Sequence, residues 1–456
     1  MKRIQMAFIA SCLAATSNFS YAQESPAIGG GWSGVLKTPG GNLDLIFKIV
    51  QEKNTIHVKM DVPAQHAMAI QASKSVLKGD SLVIGFDMMQ AIFKGKYVKD
   101  SAYFKGVWQQ GAISLPINLS KYLIKEPLLS HPQEPKPPYN YNKEDISFEN
   151  TKAKIKLAGT FTWPKLKRNV PVVILITGSG PQNRDEELMG HKPFLVLADY
   201  LTSNDIAVLR FDDRGVGASG GTFSTATSND FASDVEAAIQ YLMKRKEIDV
   251  KKIGLIGHSE GGLIAPMVAS QSKDVAFVVM LAGPGVKGSE VIALQATAIG
   301  KEAGMTPEEL KTAGDLNRKI YAIAMRNSVK AADSIKFLMK ETGMDDQSIK
   351  AQTQSILSPW YRGFLASDPT LYLSKVDCPF FALNGKKDLQ VVYKENLAGI
   401  EKALVNNKNH QVKAYDGLNH LFQHCASGAP SEYGTIEETM SQEVMSDIGN
   451  WILLLK

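Results

Sequence analysis

Ser259 stands at the centre of Gly257-His258-Ser259-Glu260-Gly261, a G-x-S-x-G stretch between an apolar run (Lys252 to Gly257) and a helical pattern (Glu260 to Ala269). A serine hydroxyl is a poor nucleophile until a base takes its proton and a third group orients that base. A turn this tight between strand and helix forces unfavourable dihedrals on the serine, and the flanking glycines make room for it. The hydroxyl then stands above the strand ends. The positive end of the helix dipole and the backbone N–H of Glu260 point to where an oxyanion would form. The chemistry that this favours is acyl transfer through a covalent intermediate.

An acid and a base are sought in the order Ser, Asp or Glu, His, that of one known triad arrangement. Asp388 lies in "FFALNGKKDLQV", just past a buried apolar run, and His420 lies in "VKAYDGLNHLFQ", before the final helical pattern Ser441 to Leu455. Of the eight histidines, His420 alone has this order and position. His258 is too close in sequence to reach back to its own neighbour, and His424 is the nearest rival. A second oxyanion donor is expected from "LITGSGPQNRDEE": the amide of Ser179, with Gly180 as the neighbouring possibility. No Lys follows these glycines in Walker spacing, so no nucleotide site is expected. No cluster of His, Cys and carboxylates has metal-ligand spacing, so neither metal nor other cofactor is expected.

The elements that must hold these residues change character along the chain. From Gly30 to about Lys121 apolar residues alternate: Leu43, Leu45, Phe47 and Ile49, then Ile56, Val58, Met60 and Val62, then Leu82, Ile84 and Phe86, then Ile113, Leu115, Ile117 and Leu119. Period two means half-buried antiparallel strands, so residues 23–125 read as a small β barrel or sandwich. Residues 126–145 hold five prolines and read as a semi-rigid linker. Beyond it, "VPVVILITG", "IAVLRFD", "KIGLIG", "VAFVVMLAG" and "PFFALNG" are short continuous apolar runs, as in parallel strands buried on both faces. Helical patterns such as Phe231, Val235, Ile239 and Leu242 separate them, which predicts a doubly wound α/β sheet over residues 146–456. One stretch, about 286–370, is helical without strand signal. Thr306-Pro307-Glu308-Glu309 has the form of a capping box that starts a helix there, and the insertion is expected to cap the strand ends.

"TGSGPQNRDE", "FDDRGVGASGG", "GHSEGG", "LNGKKDLQV" and "GLNHLFQ" together resemble the α/β-hydrolase superfamily, in particular bacterial esterases grouped with serine aminopeptidase-like hydrolases. The resemblance covers roughly Asp145 to Lys456. It implies Ser259 as nucleophile, Asp388 as acid and His420 as base. Asp212-Asp213-Arg214-Gly215 recurs in such enzymes; we read it as an Arg–carboxylate pair that fixes a loop. Glu260 reads as a carboxylate in the first turn of a helix, with recognition of a substrate amine as the alternative. Trp360, Tyr361 and Phe364 in "SPWYRGFL" either line an acyl pocket or pack within the cap.

The first 22 residues carry Lys2 and Arg3, an apolar run from Met6 to Ala15 and small residues ending Ser20-Tyr21-Ala22. That is the layout of a secretory signal peptide, which predicts a periplasmic or extracellular enzyme starting near Gln23. Ile9-Ala10-Ser11-Cys12 also resembles a lipoprotein box. No later segment is apolar enough to span a membrane. With 44% hydrophobic and 21% charged residues the composition is that of an average globular protein. A net charge of +5 is too weak a bias to suggest nucleic acid. Cys378 and Cys425 fall at opposite ends of a strand about 20 Å long, beyond the roughly 7 Å a disulfide spans, so two free thiols are expected. The leading expectation is an exported serine hydrolase acting on small carboxylic esters. One rival keeps the machinery but cuts short peptides, with a cap acid (Glu302, Glu308, Glu309 or Glu341) holding the substrate's ammonium. Another is a glycan- or lipid-binding protein with a vestigial hydrolase domain.

Overall fold

The computed structural model describes residues 26–38, 41–52, 55–62, 67–86, 89, 91–110, 113–122, 131–326 and 328–455. The stretch read as a signal peptide, Cys12 included, and residues 126–130 of the linker lie outside them. The chain divides into two compact units, Met1–Lys125 and Glu126–Lys456.

The first unit contains β1 (Gly30–Thr38), β2 (Gly41–Glu52), β3 (Thr55–Val62), β4 (Ala67–Gln71), β5 (Lys74–Lys78), β6 (Ser81–Phe86), β7 (Ala91–Val98), β8 (Tyr103–Gln110) and β9 (Ile113–Tyr122). They form one antiparallel sheet in the order β4-β3-β2-β1-β9-β8-β7-β6-β5. Its two edge strands are consecutive in the chain. Between them, Ala72 still donates its N–H to the carbonyl of Val58 in β3, at 2.9 Å. A sheet whose edges are neighbours in sequence must curl over on itself, as a barrel does. The alternating residues turn inward: Phe47, Ile49, Val58, Met60, Leu82, Ile84 and Leu119 are buried. Trp32 sits among them, edge-on to Phe104 with ring centroids 5.0 Å apart. Its indole N–H donates to the Ile28 carbonyl at 2.7 Å, which satisfies the polar end of a buried ring.

The second unit is a sheet of β10 (Tyr141–Asn150), β11 (Ile155–Pro164), β12 (Val170–Ile176), β13 (Ala207–Phe211), β14 (Ile248–His258), β15 (Phe277–Leu281), β16 (Phe380–Gly385) and β17 (His410–Tyr415). The order is β10-β11-β13-β12-β14-β15-β16-β17, antiparallel at β10, β11 and β13 and parallel from β13 to β17. β10 begins inside the stretch read as linker. The prolines end at Pro138; Tyr141 is then free to pair opposite Pro164, and its hydroxyl donates to Asp199 at 2.9 Å.

Helices cover both faces. The core on one face joins the sheet to α2 (Ser228–Leu242), α3 (Glu260–Ala269) and α10 (Tyr393–Ala403), and the core on the other joins it to α1 (Pro193–Ser203) and α11 (Gln442–Leu454). Burial on two faces explains why β12 to β16 read as unbroken apolar runs. The insertion between β15 and β16 is all helical: α4 (Gly288–Glu302), α5 (Pro307–Met325), α6 (Ala331–Lys340), α7 (Asp346–Ile356), α8 (Pro359–Ala366) and α9 (Thr370–Leu373). It has a small core of its own around Ile320, Tyr321, Ile335 and Ile349. The capping box is present: Glu309 Oε2 accepts the Thr306 N–H at 2.7 Å and Thr306 Oγ1 accepts the Glu309 N–H at 3.3 Å. Among the described residues no helix is long and apolar enough to cross a membrane.

The chain leaves β12 for β13 on one side and later returns to β14 on the other. Connections diverging in this way open a crevice at the carboxyl ends of β12 and β14. Ser179 follows the first of these strands and Ser259 the second.

Candidate active site

Ser259 adopts φ 54°, ψ −115° between β14 and α3, a region that side chains rarely occupy without being held there. Two backbone bonds hold it: its N–H donates to Leu281 O, and its carbonyl accepts the Gly262 N–H, both at 2.9 Å. The glycines are a spatial requirement. A Cβ on Gly257 would lie 2.0 Å from the Gly261 carbonyl oxygen, and one on Gly261 would lie 2.1 Å from that of Ile176. Backbone cannot yield as a flexible side chain would, so Gly257→Ala should cost more than about 4 kcal/mol in urea unfolding; wild-type stability would contradict this packing.

Asp388 and His420, 32 residues apart, come together in the loops after β16 and β17. His420 Nδ1–H donates to Asp388 Oδ2 at 2.8 Å, and both side chains are buried. The other oxygen, Oδ1, accepts the amides of Gln390 at 2.8 Å and Val391 at 2.9 Å. Three donors therefore fix the carboxylate, and through it the imidazole plane. His424 is exposed and pairs with Glu438 instead.

A cavity of about 60 Å³ opens on Ser259 and Glu260. Ser179 lines it, whereas the amide of the preceding Gly178 is occupied by Glu186 Oε1 at 2.7 Å. Val291, Ile292, Trp360 and Phe364 form its apolar wall, with Gln295 and Gln390 as polar members. The aromatic trio thus divides. Trp360 stacks on Phe364 at the cavity, 5.6 Å between centroids, while Tyr361 packs toward Tyr321 in the cap.

Glu260 is 3% exposed. Its carboxylate accepts Ser228 Oγ at 2.6 Å and the Trp360 indole N–H at 2.8 Å. Burial raises its pKa against these two bonds. The residue thus ties α2 and the cap helix α8 to the turn that holds Ser259, which adjacency to a helix start did not reveal.

The Arg–carboxylate pair expected within Asp212-Asp213-Arg214 is not formed there. Arg214 reaches Asp234 at 2.7 Å and Asp230 at 3.3 Å on α2, and Asp212 instead takes Arg184 at 2.7 Å. Consecutive residues leaving a strand point apart, so each finds a distant partner. Asp213 accepts the Thr177 hydroxyl at 2.7 Å and the Gln182 amide at 2.9 Å, which secures both ends of the loop carrying Ser179. Burial, with the nearby charges of Glu260 and Glu186, holds the carboxyl of Asp213 well above its ordinary range despite those bonds.

Two further residues lie outside the expected set. Glu186 is 2% exposed and takes φ 52°; besides Gly178 it meets His258 Nδ1 at 2.9 Å. His258 Nε2 lies 3.0 Å from the carbonyl of His420, and the two imidazole rings are 4.7 Å apart. Cys378 and Cys425 are free thiols, both pushed up to about 11 by burial.

The family model described as "Serine aminopeptidase, S33" matches residues 192–424, just over half of the chain. The chain belongs to this family of α/β hydrolases. It is therefore a hydrolase, and the matched range holds Ser259, Asp388 and His420 but not Ser179 or Glu186. Esterase EstD of Thermotoga maritima is 25% identical over 319 residues, 69% of this chain and 68% of its own. Among solved structures, the Pyrococcus furiosus esterase Pf2001 is 18% identical over 69% of this chain and 92% of its own, with a TM-score of 0.43. Est1E from Butyrivibrio proteoclasticus, solved with ferulic acid bound, is 18% identical over 68% of this chain and 98% of its own, with a TM-score of 0.42.

Proposed function

We propose that this member of the serine aminopeptidase-like family is an exported carboxylesterase, acting on small esters through an acyl-enzyme on Ser259. The observation that carries the reading is the Asp388–His420 hydrogen bond of 2.8 Å in the loops beside a serine held at φ 54° over a cavity. In this reading His420 Nε2 takes the Ser259 proton as Oγ attacks the ester carbonyl, and Asp388 stabilises the imidazolium. The amides of Glu260 and Ser179 receive the oxyanion. His420 returns the proton to the departing alcohol, and water then attacks the acyl-enzyme by the same route in reverse.

An ester is favoured over a peptide N-terminus by the charge lining the cavity. A substrate ammonium needs a carboxylate free to meet it. Among the residues lining the cavity the only one is Glu260, already engaged by Ser228 and Trp360 and opposed by burial in taking a charge. The cap acids Glu302, Glu308, Glu309 and Glu341 are exposed and absent from that lining. The name of the EstD relative agrees with this choice. The test is a panel of p-nitrophenyl acyl esters of graded chain length run beside aminoacyl p-nitroanilides. Ester kcat/KM should exceed that for the anilides by about 10³-fold or more, a gap of the size left when a site lacks a partner for a buried polar group. Anilide turnover equal to or above that of the esters would favour the peptidase reading instead.

A further inference from the structure

His258 and Glu186 are buried titratable groups that the proposed chemistry does not use, and their geometry is unusual in what it demands. Each ring nitrogen of His258 faces an acceptor: Nδ1 the carboxylate of Glu186 at 2.9 Å, and Nε2 the backbone carbonyl of His420 at 3.0 Å. A carbonyl has no proton to give, so Nε2 must carry one. The Nδ1 contact needs a second, which the adjoining Glu186 carboxylate favours on the ring. The pair therefore holds two protons and is neutral as a unit, the arrangement a dry site tolerates best. Glu186 spends the same oxygen on the Gly178 amide at 2.7 Å, and its other oxygen is buried without a hydrogen-bond partner among the described residues.

We infer that His258 and Glu186 form a two-proton clamp that sets the positions of the base loop and the oxyanion loop relative to Ser259. The inference rests on the triad reading above. The clamp's reach is what recommends it. Nε2–H pins the main chain of His420 after β17, Glu186 pins Gly178 one residue before Ser179 after β12, and His258 is bonded directly to Ser259 after β14. Three strand ends are thereby held to one another. Misplacing reacting groups by an ångström costs about 10²-fold in rate, so His258 and Glu186 are positioning residues, acting through His420 and Ser179 rather than on substrate.

The clamp has a pH signature. Burial opposes a charge on His258, but the carboxylate of Glu186, the His420 carbonyl and the more distant Asp388 outweigh it and raise the imidazole pKa. The other titratable group against it is the His420 ring, while the charge of Glu186 also acts on the buried Asp213. A group whose pKa is raised keeps its proton, and its effect, at low pH and loses both as pH rises through the raised value. The clamp should therefore open only on the alkaline side, above the ordinary imidazole range.

The test uses the full chain with p-nitrophenyl acetate. Glu186→Gln and His258→Ala should lower kcat by about 10-fold and about 10²-fold, with KM within about threefold and thermal melts that show folded protein. Glu186→Gln should also move the alkaline limb of kcat down by about a unit or more, because the charge that holds the second proton is gone. A merely structural contact would not move that limb. Wild-type protein labelled with ¹⁵N-histidine provides a reading that no folding defect can obscure: the His258 ring should still show two slowly exchanging N–H signals at pH 6.5, the ordinary imidazole midpoint. Kcat unchanged in both variants, or a single N–H on His258 at pH 6.5, would overturn the clamp. If a fluorophosphonate labels Ser259 normally while those results fail, the clamp alone is wrong; if Ser259 is not labelled, the triad reading fails with it.

Discussion

Ser259→Ala is expected to cut ester turnover by about 10⁵-fold or more, with the melting temperature left near that of the wild type. The size follows from the division of labour around the site. His420 and Asp388 lose the hydroxyl that they would activate, and the remaining oxyanion donors supply only what they contribute to bound ester. The fold should survive because the strain at φ 54° is imposed by the packing of Gly257, Gly261 and Gly262 against neighbouring backbone, not by the serine hydroxyl. Alanine meets the same backbone with one atom fewer. Steady-state hydrolysis of p-nitrophenyl acetate beside a thermal melt checks both halves; a variant that melts normally and keeps more than about a tenth of wild-type kcat would be incompatible with acyl transfer to this residue.

Asp388→Asn should lower kcat by about 10⁴-fold while the protein stays folded. Asp388 Oδ1 accepts the Gln390 and Val391 amides, and an asparagine keeps those two bonds only by placing its carbonyl there. Its NH₂ then faces His420 Nδ1, which must accept, and the imidazole proton moves to Nε2. A protonated Nε2 takes no proton from a serine. Charge loss and wrong tautomer act in the same direction, whereas the packing volume hardly changes. Measuring kcat and KM together separates this from a binding defect: KM should stay within about threefold, since the carboxylate is engaged by His420 and two backbone amides. A loss confined to KM would place Asp388 in substrate binding.

Much of this site was legible in the sequence because each expected residue follows a strand that announces itself. Ser259, Asp388 and His420 close on apolar runs or lie just past them, in the order that acyl-transfer enzymes of this fold require, and the helical insertion was marked by a capping box at Thr306. What escaped was of another kind. Glu186 lies in "NRDEELM", where several charges in succession look like a solvated loop, and nothing local says that the chain turns left-handed at this residue and drives its carboxylate inward. His258 ends a strand buried on both faces, so it has no alternation to say which way it points. The partners of Arg214 sit 16 and 20 residues away on α2, and the partners of Glu260 lie 32 residues away on α2 and 100 residues away on the cap. Long-range polar pairing leaves no periodic trace. β10 was missed for a similar reason: only three of its ten residues are buried, so its sequence reads as the tail of the linker.

The central claim is that Ser259 carries the acyl group, and one experiment addresses it without any variant. The full chain is mixed with p-nitrophenyl acetate, quenched in acid before steady state, digested and analysed by mass spectrometry. The account predicts an initial burst of one p-nitrophenolate per active chain and an acetyl group on the peptide containing Ser259. Turnover without a burst, or an acetyl group fixed on another residue, would contradict it.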